Sequence, residues 1–537
     1  MSNNATTLDE GKSTVRTAIF DFCRSVGMTT IFGNPGTTEL PMFHDFPADF
    51  QYVLGLQEAV VVGMADGFAQ ANNNAALVNL HSAAGVGHGM GNIFTAFKNQ
   101  TPMVIIAGQQ ARSLMPFEAF LHAMEATEMP KPYVKWSCEP ARPEDVPAAI
   151  ARAYHMAMQY PQGPTFVSVP MDDWDQPAEP IVPRQVFNRR APDAAFVKML
   201  GQALDDSKRP ALVVGAGVDR DNAWDEIIAL AERYQARVWV SPVSSRCSFP
   251  ENHPLFAGFL MPYRERIVET LAAHDLALVV GAPTFTYHAV GEGPHIGEGT
   301  RLFQITDNPS VVAYSPAGDA TVCTVREGLS ALLERKASAA RAEVRERRAT
   351  APRVEPGERI TSEFVMQTVA DLRPADSIIV EEAPSSRVAM QNHLPITSPQ
   401  GFFTMASGGL GHSMPAAVGI ALAIAGKRRV IGIFGDGSSM YAVQAMWSAA
   451  QLDLPIIMII VNNQGYAALE NYAAHFGMPA PLGTKVPGLD FAGLGKAQGC
   501  RGVLVKTPDQ LVAALKDSLR SDAPVVIDVI VDDRRKA

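Results

Sequence analysis

The stretch GDGSSMYAVQAMWSAAQLDLPIIMIIVNNQGYAAL, Gly435 to Leu469, decides the fold. Just before it, Ile431 to Phe434 form an apolar run that is typical of a buried parallel strand, and Ile456 to Val461 form a second one. Apolar residues at helical spacing between the two runs predict one helix, which ends at Asp453-Leu454-Pro455. Strand, helix and strand predict a βαβ unit, so the carboxyl ends of both strands lie at the same edge of a parallel sheet.

Side chains with oxygen ligands follow both of these strand ends. Asp436 comes after the first strand, Asn463 comes after the second, and Gly465 can add a backbone carbonyl. Mg²⁺ prefers oxygen ligands and usually shares its coordination sphere with phosphate groups. The helix that starts after Gly437, with Ser438 in its first turn, can direct backbone N–H groups at such phosphates. The sequence therefore predicts a site for magnesium and phosphate groups at this edge.

Composition narrows the class of protein. A chain of 537 residues with 47% apolar and 19% charged residues is expected to form about three globular domains. The net charge of −10 and the pI of about 5.7 predict no binding to nucleic acid or to an anionic membrane. Five widely spaced cysteines indicate a reducing compartment, and no apolar run is long enough to span a bilayer. Residues 1–12 lack a signal pattern, so we expect a soluble cytoplasmic protein.

Apolar strands alternate with helical patterns along most of the chain, which predicts an α/β protein with doubly wound parallel sheets. Irregular segments at 173–192 and 337–360 divide it into three predicted domains, 1–180, 194–336 and 360–537. Arg341–Arg348, where arginines alternate with glutamates, is expected to form a solvated linker helix. The predicted elements are a helix over 13–28 and strands at 29–32, 51–56, 75–80, 103–107, 165–170, 211–215, 238–240, 276–280, 377–380, 430–434, 456–461 and 525–531.

The central region carries an incomplete nucleotide-binding motif. GAGV at 215–218 begins like a dinucleotide fingerprint, but Arg220 stands where the third glycine would be. We therefore favour a structural domain over one that binds flavin or another nucleotide. A nicotinamide dehydrogenase would also need an acidic residue after the strand at 238–240, and the sequence offers none there.

Glu58 and several histidines are candidates for acid–base chemistry. Glu58 opens a helix after a strand, a position that suits either a helix-end partner or a reactive carboxyl group. Imidazole gains and loses a proton near neutral pH, but each of the twelve histidines, taken alone, is more typical of a surface or capping residue.

Several motifs together resemble the benzoylformate decarboxylase family of thiamine-diphosphate enzymes. They are FGNPGTTELP (32–41), LQEAVVVGMADGFAQ (56–70), NLHSAAGVGHGMGN (79–92), GAPTFTYH (281–288), GGLGHSMPAAVGIALA (408–423) and the GDG…NN stretch. The resemblance extends over nearly the whole chain. It implies a pyrimidine-binding, a central and a diphosphate-binding domain, thiamine diphosphate and Mg²⁺ as cofactors, and a homodimer or homotetramer whose active site is shared between two subunits.

The resemblance also implies a role for individual residues. Glu58 would contact the aminopyrimidine ring, and His81 and His288 would exchange protons with the substrate. The weaker histidine candidates His88, His122 and His412 lie near the same motifs. Thr37, which stands where the family has a serine, would hold the substrate carboxylate. Further cofactor contacts would come from Ser385, Gly408, Leu410, Gly435, Asp436, Gly437, Ser438, Asn463 and Tyr466, the metal ligands from Asp436, Asn463 and Gly465, and the pocket walls from Thr37, Phe120, Leu121, Thr404, Leu469 and Tyr472.

The reaction implied is the non-oxidative decarboxylation of a 2-oxo acid to an aldehyde and carbon dioxide. Thr404 replaces an aromatic residue of the family, so the sequence favours decarboxylation more strongly than a phenyl substrate. The remaining alternatives use the same cofactor: carboligation, lysis of an acyl-CoA, or a flavin-assisted oxidase or acetolactate-type synthase.

Overall fold

The computed structural model describes residues 13–336, 341–344, 346–479 and 481–532. The predictions for residues 1–12 and for part of the linker at 337–360 therefore fall outside the described residues. The described chain forms three parallel sheets of six strands each, which confirms the predicted α/β class with doubly wound sheets. It divides into two compact units, one up to Phe187 that includes Val418–Ala423, and one that contains Asn188–Ala417 and the chain from Ile424 onward.

The first unit contains a sheet with strand order β2-β1-β3-β4-β6-β5. Thr14 and Thr17 form a capping box that starts its first helix. The central strands are buried apolar runs, as expected for a sheet covered by helices on both faces. Its elements are α1 (Val15–Ser25), β1 (Thr30–Gly33), β2 (Gln51–Leu54), α2 (Glu58–Asn72), β3 (Ala76–Leu80), α3 (Ser82–Asn99), β4 (Met103–Gln109), β5 (Ser137–Cys138), α4 (Val146–Met158) and β6 (Pro164–Pro170).

The second unit begins with a sheet of order β12-β11-β10-β7-β8-β9. The GAGV glycines serve close packing here, since a Cβ atom on Gly217 would lie 2.7 Å from Cα of Gly281. The elements are α5 (Ala194–Asp206), β7 (Pro210–Val214), α6 (Ala216–Arg220), α7 (Trp224–Tyr234), β8 (Arg237–Val240), β9 (Phe256–Phe259), α8 (Arg264–Leu271), β10 (Leu276–Val280), β11 (Arg301–Thr306), α9 (Pro309–Ala313), β12 (Asp319–Val322) and α10 (Val325–Glu334).

The third sheet has the order β14-β13-β15-β16-β18-β17, and its apolar core continues into that of the second sheet. The elements are α11 (Ser362–Leu372), β13 (Ile378–Glu382), α12 (Arg387–His393), β14 (Phe402–Thr404), α13 (Ser413–Ile424), β15 (Val430–Gly435), α14 (Asp436–Met440), α15 (Ala445–Gln451), β16 (Ile456–Asn462), α16 (Ala467–His475), α17 (Phe491–Ala497), β17 (Arg501–Val505), α18 (Pro508–Ser518) and β18 (Val525–Ile530). The predicted domain boundaries stay predictions.

The structure corrects two predictions from the sequence. The single helix expected after Gly437 is broken into α14 and α15, because i→i+3 hydrogen bonds such as Ala442 N–H to Ser439 O (3.3 Å) tighten the chain between them. The linker helix at Arg341–Arg348 is also wrong, since the described residues 341–344 and 346–348 are not helical. Arg341 instead packs over the ring of Tyr234 and donates to its carbonyl oxygen, which favours an extended path.

Six strands were not predicted, and most are short or lie near a sheet edge. They are β5, β9, β11, β12, β14 and β17. Over the described ranges, no helix combines the length and the apolar character needed to cross a bilayer.

Candidate active site

The predicted functional residues fall into two sets, one in each compact unit. In the first sheet, β1 ends at Gly33 and leads into Asn34, and β3 ends at Leu80 and leads into His81. β1 lies between β2 and β3 in the strand order, so the direction of chain progression reverses at this point. Ligands of doubly wound sheets bind at the carboxyl ends of the strands that flank such a reversal.

Glu58 is the first residue of α2, and its side chain is largely buried, with 10% exposed. One carboxylate oxygen accepts a hydrogen bond from Nδ2 of Asn34 at 3.2 Å. The other lies 3.2 Å from Nδ1 of His88, whose imidazole is 66% exposed. The helix N-terminus favours a negative charge at this position. The structure thus presents a carboxylate held by two polar side chains, and it gives the weaker candidate His88 a contact with it.

His81 contacts a second carboxylate, that of the fully buried Glu39. Nδ1 of His81 is 2.8 Å from Oε2 of Glu39, whose residue is 1% exposed. The same carboxylate accepts hydrogen bonds from the backbone N–H groups of Gly36 (2.8 Å) and Gly108 (3.0 Å) and from the hydroxyl of Thr38 (2.6 Å). Four donors around one acceptor group fix both the carboxylate and the ring of His81. A Cβ atom on Gly36 would lie 2.2 Å from that ring, so only glycine leaves room for it.

The predicted pocket residues of this unit lie in exposed segments. Thr37 is exposed in the loop before Glu39, and the side chain of Phe120 is 96% exposed. Ser82, directly after His81, adopts a left-handed backbone (φ 51°), and its hydroxyl donates to the carbonyl of Leu121 at 2.7 Å. This contact ties the segment that carries Phe120 and Leu121 to the start of α3. The assignment of Thr37, Phe120 and Leu121 to a substrate pocket stays a prediction.

In the second unit the predicted metal ligands come together at the ends of β15 and β16. Oδ2 of Asp436 and Oδ1 of Asn463 accept hydrogen bonds from the same N–H group, that of Gly465, at 3.0 and 3.1 Å. Both oxygens are therefore neighbours at one turn. Burial raises the pKa of Asp436, and backbone donors such as the N–H of Gly437 (2.7 Å) oppose that shift. Two side-chain oxygens with unused lone pairs, beside a backbone carbonyl, fit the ligand preference of Mg²⁺.

The remaining diphosphate candidates surround this turn. Ser438 is buried in the first turn of α14, whose N-cap is Gly435. The ring of Tyr466 covers Gly437, where an added Cβ atom would be 2.3 Å from the ring. The hydroxyl of Ser385 accepts a hydrogen bond from the N–H of Ala468 in the first turn of α16 at 2.9 Å. These side chains lie near the turn that carries the candidate metal ligands, and their role as diphosphate ligands stays a prediction.

The buried carboxylate of Glu382 supports the loop that carries Gly408 and Leu410. Glu382, at the end of β13, accepts hydrogen bonds from the backbone N–H groups of Gly411, His412 and Ser413 at 2.5, 2.9 and 2.6 Å. Burial raises the pKa of Glu382 to about 7, although these three donors oppose the shift. The loop is thereby fixed to the sheet, while Gly408 itself is exposed with a positive φ of 73°.

His288 and Tyr472 also meet in this unit. Their rings are stacked with centroids 4.8 Å apart, and the Tyr472 hydroxyl donates to the backbone carbonyl of His288 at 3.1 Å. Leu469, one helical turn before Tyr472, is 54% exposed. Thr404 is different, because it is 2% exposed and its hydroxyl donates to Glu381 at 3.0 Å and accepts from Arg387. Only its methyl group is left to line a pocket.

The other two weaker histidine candidates, His412 and His122, each have a buried part. His412 is 2% exposed, and its backbone N–H binds Glu382. His122 follows Leu121, and its Nδ1 atom is buried without a hydrogen-bond partner in the described chain.

Glu39, Asn34 and Glu382 were not predicted from the sequence. Asn34 and Glu39 lie within the loop FGNPGTTELP, and a carboxyl group in a loop of glycines and prolines directly after a strand could have marked Glu39. Glu382 could have been noticed because it ends an apolar strand. Their partners, however, come from distant parts of the chain, and a local pattern does not specify those contacts.

The chain matches three models of thiamine pyrophosphate enzymes. Residues 13–130 match the N-terminal TPP binding domain, residues 197–332 the central domain, and residues 383–529 the C-terminal TPP binding domain. Glu39, Glu58 and His81 lie in the first match, and Asp436 and Asn463 lie in the third.

Three similar proteins are decarboxylases by name. The chain is 43% identical over 520 residues to benzoylformate decarboxylase of Pseudomonas aeruginosa, which covers 96% of this chain and 98% of that protein. The crystal structure of benzoylformate decarboxylase from Polynucleobacter necessarius is similar with a TM-score of 0.95 and 39% identity, covering 97% of this chain and 99% of that one. The 4-hydroxybenzoylformate decarboxylase of Rhodococcus jostii RHA1 also has a TM-score of 0.95, with 38% identity, 98% of this chain covered and 100% of that one.

Proposed function

We propose, since this chain belongs to the benzoylformate decarboxylase family of thiamine-diphosphate enzymes, that it is a carboxy-lyase acting on a 2-oxo acid. The products would be carbon dioxide and an aldehyde, and the cofactors thiamine diphosphate and Mg²⁺. The observation that carries the proposal is the convergence of Asp436 and Asn463 on the N–H of Gly465 within a matched TPP binding domain.

The residues present fit the cofactors. Asp436, Asn463 and the Gly465 carbonyl would hold Mg²⁺, and the first turn of α14 with Ser438 would face the diphosphate. When bound, thiamine diphosphate supplies a thiazolium carbon that adds to a ketone carbonyl and accepts the electron pair left by departing carbon dioxide. Glu58 would hold a proton at the aminopyrimidine ring, a task that its position between Asn34 and His88 supports.

His81 is the proton carrier that the structure supports best. Nδ1 of its imidazole is engaged with Glu39, so the proton exchanged with the substrate would be carried at Nε2. A fixed ring orientation places that nitrogen in one position, which favours directed proton transfer. His288, whose ring is stacked on Tyr472, would serve a second proton transfer, and Thr37 would hold the substrate carboxylate.

We further propose that the enzyme is a homodimer or homotetramer in the cytoplasm. The residues 114–129 support self-association, because they expose several large apolar side chains that a monomer would leave in water. These are Leu114 (45% exposed), Phe117 (79%), Phe120 (96%) and Met124 (76%).

A panel of aromatic and aliphatic 2-oxo acids tests the proposed function. We expect release of carbon dioxide from at least one acid, only when thiamine diphosphate and Mg²⁺ are both supplied. A protein that binds thiamine diphosphate but releases no carbon dioxide from any acid of the panel would contradict it. A yellow protein with flavin absorbance would instead favour an oxidase or an acetolactate-type synthase.

A further inference from the structure

The turn that carries the candidate metal ligands is held by a residue far away in the sequence. Asn463 and Gly465 flank Gln464, which adopts a left-handed backbone with φ of 60°. Residues other than glycine rarely adopt this backbone conformation unless the surrounding structure stabilises it. The N–H of Gln464 donates to Oδ1 of Asn462, the last residue of β16, at 3.2 Å, and it also donates to the carboxylate of Asp436.

Asn462 is in turn oriented by Asp528. Nδ2 of Asn462 donates to Oδ1 of Asp528 on the neighbouring strand β18 at 3.0 Å. The other oxygen of Asp528 accepts the backbone N–H of Phe491 at 3.0 Å. Asp528 is 1% exposed and Asn462 is 2% exposed, so water cannot replace these partners. Only one orientation of the Asn462 amide satisfies both Asp528 and Gln464.

We propose that Asp528 is a positioning residue for the metal-binding turn, acting through Asn462 and the N–H of Gln464. The inference rests on the proposed function for the identity of the ligand, Mg²⁺ with thiamine diphosphate. Asp528 touches neither of the candidate ligands Asp436 and Asn463 in the hydrogen bonds described above. Its contribution is that a carboxylate accepts on both oxygens, here from the Asn462 amide and from the backbone N–H groups of Phe491 and Ala492.

Replacing Asp528 by asparagine turns one of its two acceptor oxygens into a donor NH₂ group. The asparagine has one acceptor and one donor, so its N–H₂ group faces a donor, either at Phe491 or at Asn462. If the Asn462 amide rotates to compensate, its own N–H₂ group then faces the N–H of Gln464. Either way a donor beside the buried Asp528–Asn462 pair loses its acceptor, and rotation of Asn462 leaves the N–H of Gln464 with Asp436 alone, which weakens the support of the turn.

The reciprocal exchange restores every acceptor. In the double variant Asp528→Asn with Asn462→Asp, the carboxylate introduced at position 462 accepts from the N–H of Gln464 and from the amide introduced at position 528. The oxygen of that amide still accepts from the N–H of Phe491. The double variant is therefore expected to recover metal binding. If Asp528→Asn acted only by lowering the stability of the fold, the second substitution would not be expected to restore binding.

The experiment titrates cofactor-free protein with Mn²⁺ at saturating thiamine diphosphate, and follows free Mn²⁺ by EPR. We expect Asp528→Asn to weaken Mn²⁺ binding by about 10- to 100-fold, as is typical when a residue that orients metal ligands is changed. The double variant should return to within roughly 3-fold of the parent protein. Asp275→Asn is the matched control, since Asp275 also accepts hydrogen bonds, from Ser207, Lys208 and Arg209, in the central sheet.

Turnover is not needed for this readout, so its result is separate from the test of the proposed function. Unchanged Mn²⁺ affinity in Asp528→Asn would overturn the proposal, as would a folded double variant that binds as weakly as the single one. Should Asp528→Asn fail to fold, Asn462→Ala removes the side-chain amide acceptor for the N–H of Gln464 and is expected to show the same loss. Normal Mn²⁺ affinity in that variant would equally overturn the proposal.

Discussion

Oε2 of Glu39 lies 2.8 Å from Nδ1 of His81, although 42 positions separate the two residues in the chain. The same carboxylate accepts hydrogen bonds from the N–H groups of Gly36 and Gly108 and from the hydroxyl of Thr38. Because a carboxylate accepts hydrogen bonds and donates none, it selects the tautomer with the proton on Nδ1.

Glu39→Gln should therefore reduce kcat on the best 2-oxo acid by on the order of 10²-fold, the lower end of what a general acid–base group contributes. The amide places a donor where a carboxylate oxygen accepted one of four hydrogen bonds, and the ring of His81 loses its fixed tautomer. Steady-state kinetics at saturating cofactors measure the effect. Glu139→Gln is the control, since Glu139 binds Gln109 and Ser168 in the same sheet without touching His81. Equal losses in both variants would show a general effect on the sheet.

Glu58→Gln is expected to lower turnover by orders of magnitude while Mn²⁺ binding at the Asp436 turn stays unchanged. Glutamine keeps the contact with Asn34 but cannot take up a proton. His88→Gln tests the second contact of Glu58 and should cost no more than roughly 10-fold, because a single exposed hydrogen bond contributes about 1 kcal/mol. Undiminished decarboxylation by Glu58→Gln would remove this carboxylate from the mechanism.

The sequence predicted the elements whose signal is local. Ile456–Asn462 is buried along its whole length, so an apolar run was enough to predict the strand and, with it, the position of Asn463. Glu39 and Asp528 escaped because their roles depend on donors brought by Gly108 and Asn462 from other strands. The broken helix after Gly437 escaped for a similar reason. Between α14 and α15, Tyr441 packs so closely on Gly411 that an added Cβ atom would lie 2.7 Å from it. The apolar periodicity of residues 441–450 does not encode this contact.

Tyr472 is expected to hold His288 through its ring more than through its hydroxyl. Tyr472→Phe keeps the stacked ring and loses one exposed hydrogen bond, so kcat/KM should stay within roughly 3-fold. Tyr472→Leu removes the aromatic pair, which contributes about 0.5–1.5 kcal/mol, and should lower kcat/KM by up to about 10-fold. Tyr314→Leu, at a tyrosine that is 63% exposed, is the control. A larger loss in the phenylalanine variant than in the leucine variant would contradict this assignment.

The buried carboxyl group of Glu251 should make the stability of the protein depend on pH. Burial raises the pKa of this carboxyl group from 4.5 to about 7, against the opposing effect of the Ile396 N–H at 3.1 Å. Between these two pH values the folded protein keeps a proton that the unfolded chain has lost, so stability falls as pH rises through the window. The contribution is fully present below pH 4.5 and lost above about 7, and it amounts to roughly 3 kcal/mol. Burial gives Glu382 the same sign in the same window.

Glu251→Gln cannot ionise, so the difference between its thermal midpoint and that of the parent protein should shift in favour of the variant from pH 5 to pH 8. Comparing the two proteins cancels the contribution of Glu382 and of every other titrating group that the substitution leaves alone. Thermal unfolding of the cofactor-free proteins, followed by circular dichroism at several pH values, measures the difference. Glu298→Gln serves as the control at an exposed carboxyl group and should run parallel to the parent protein. A parallel curve for Glu251→Gln would instead mean that this carboxyl group is ionised in the folded protein throughout the range.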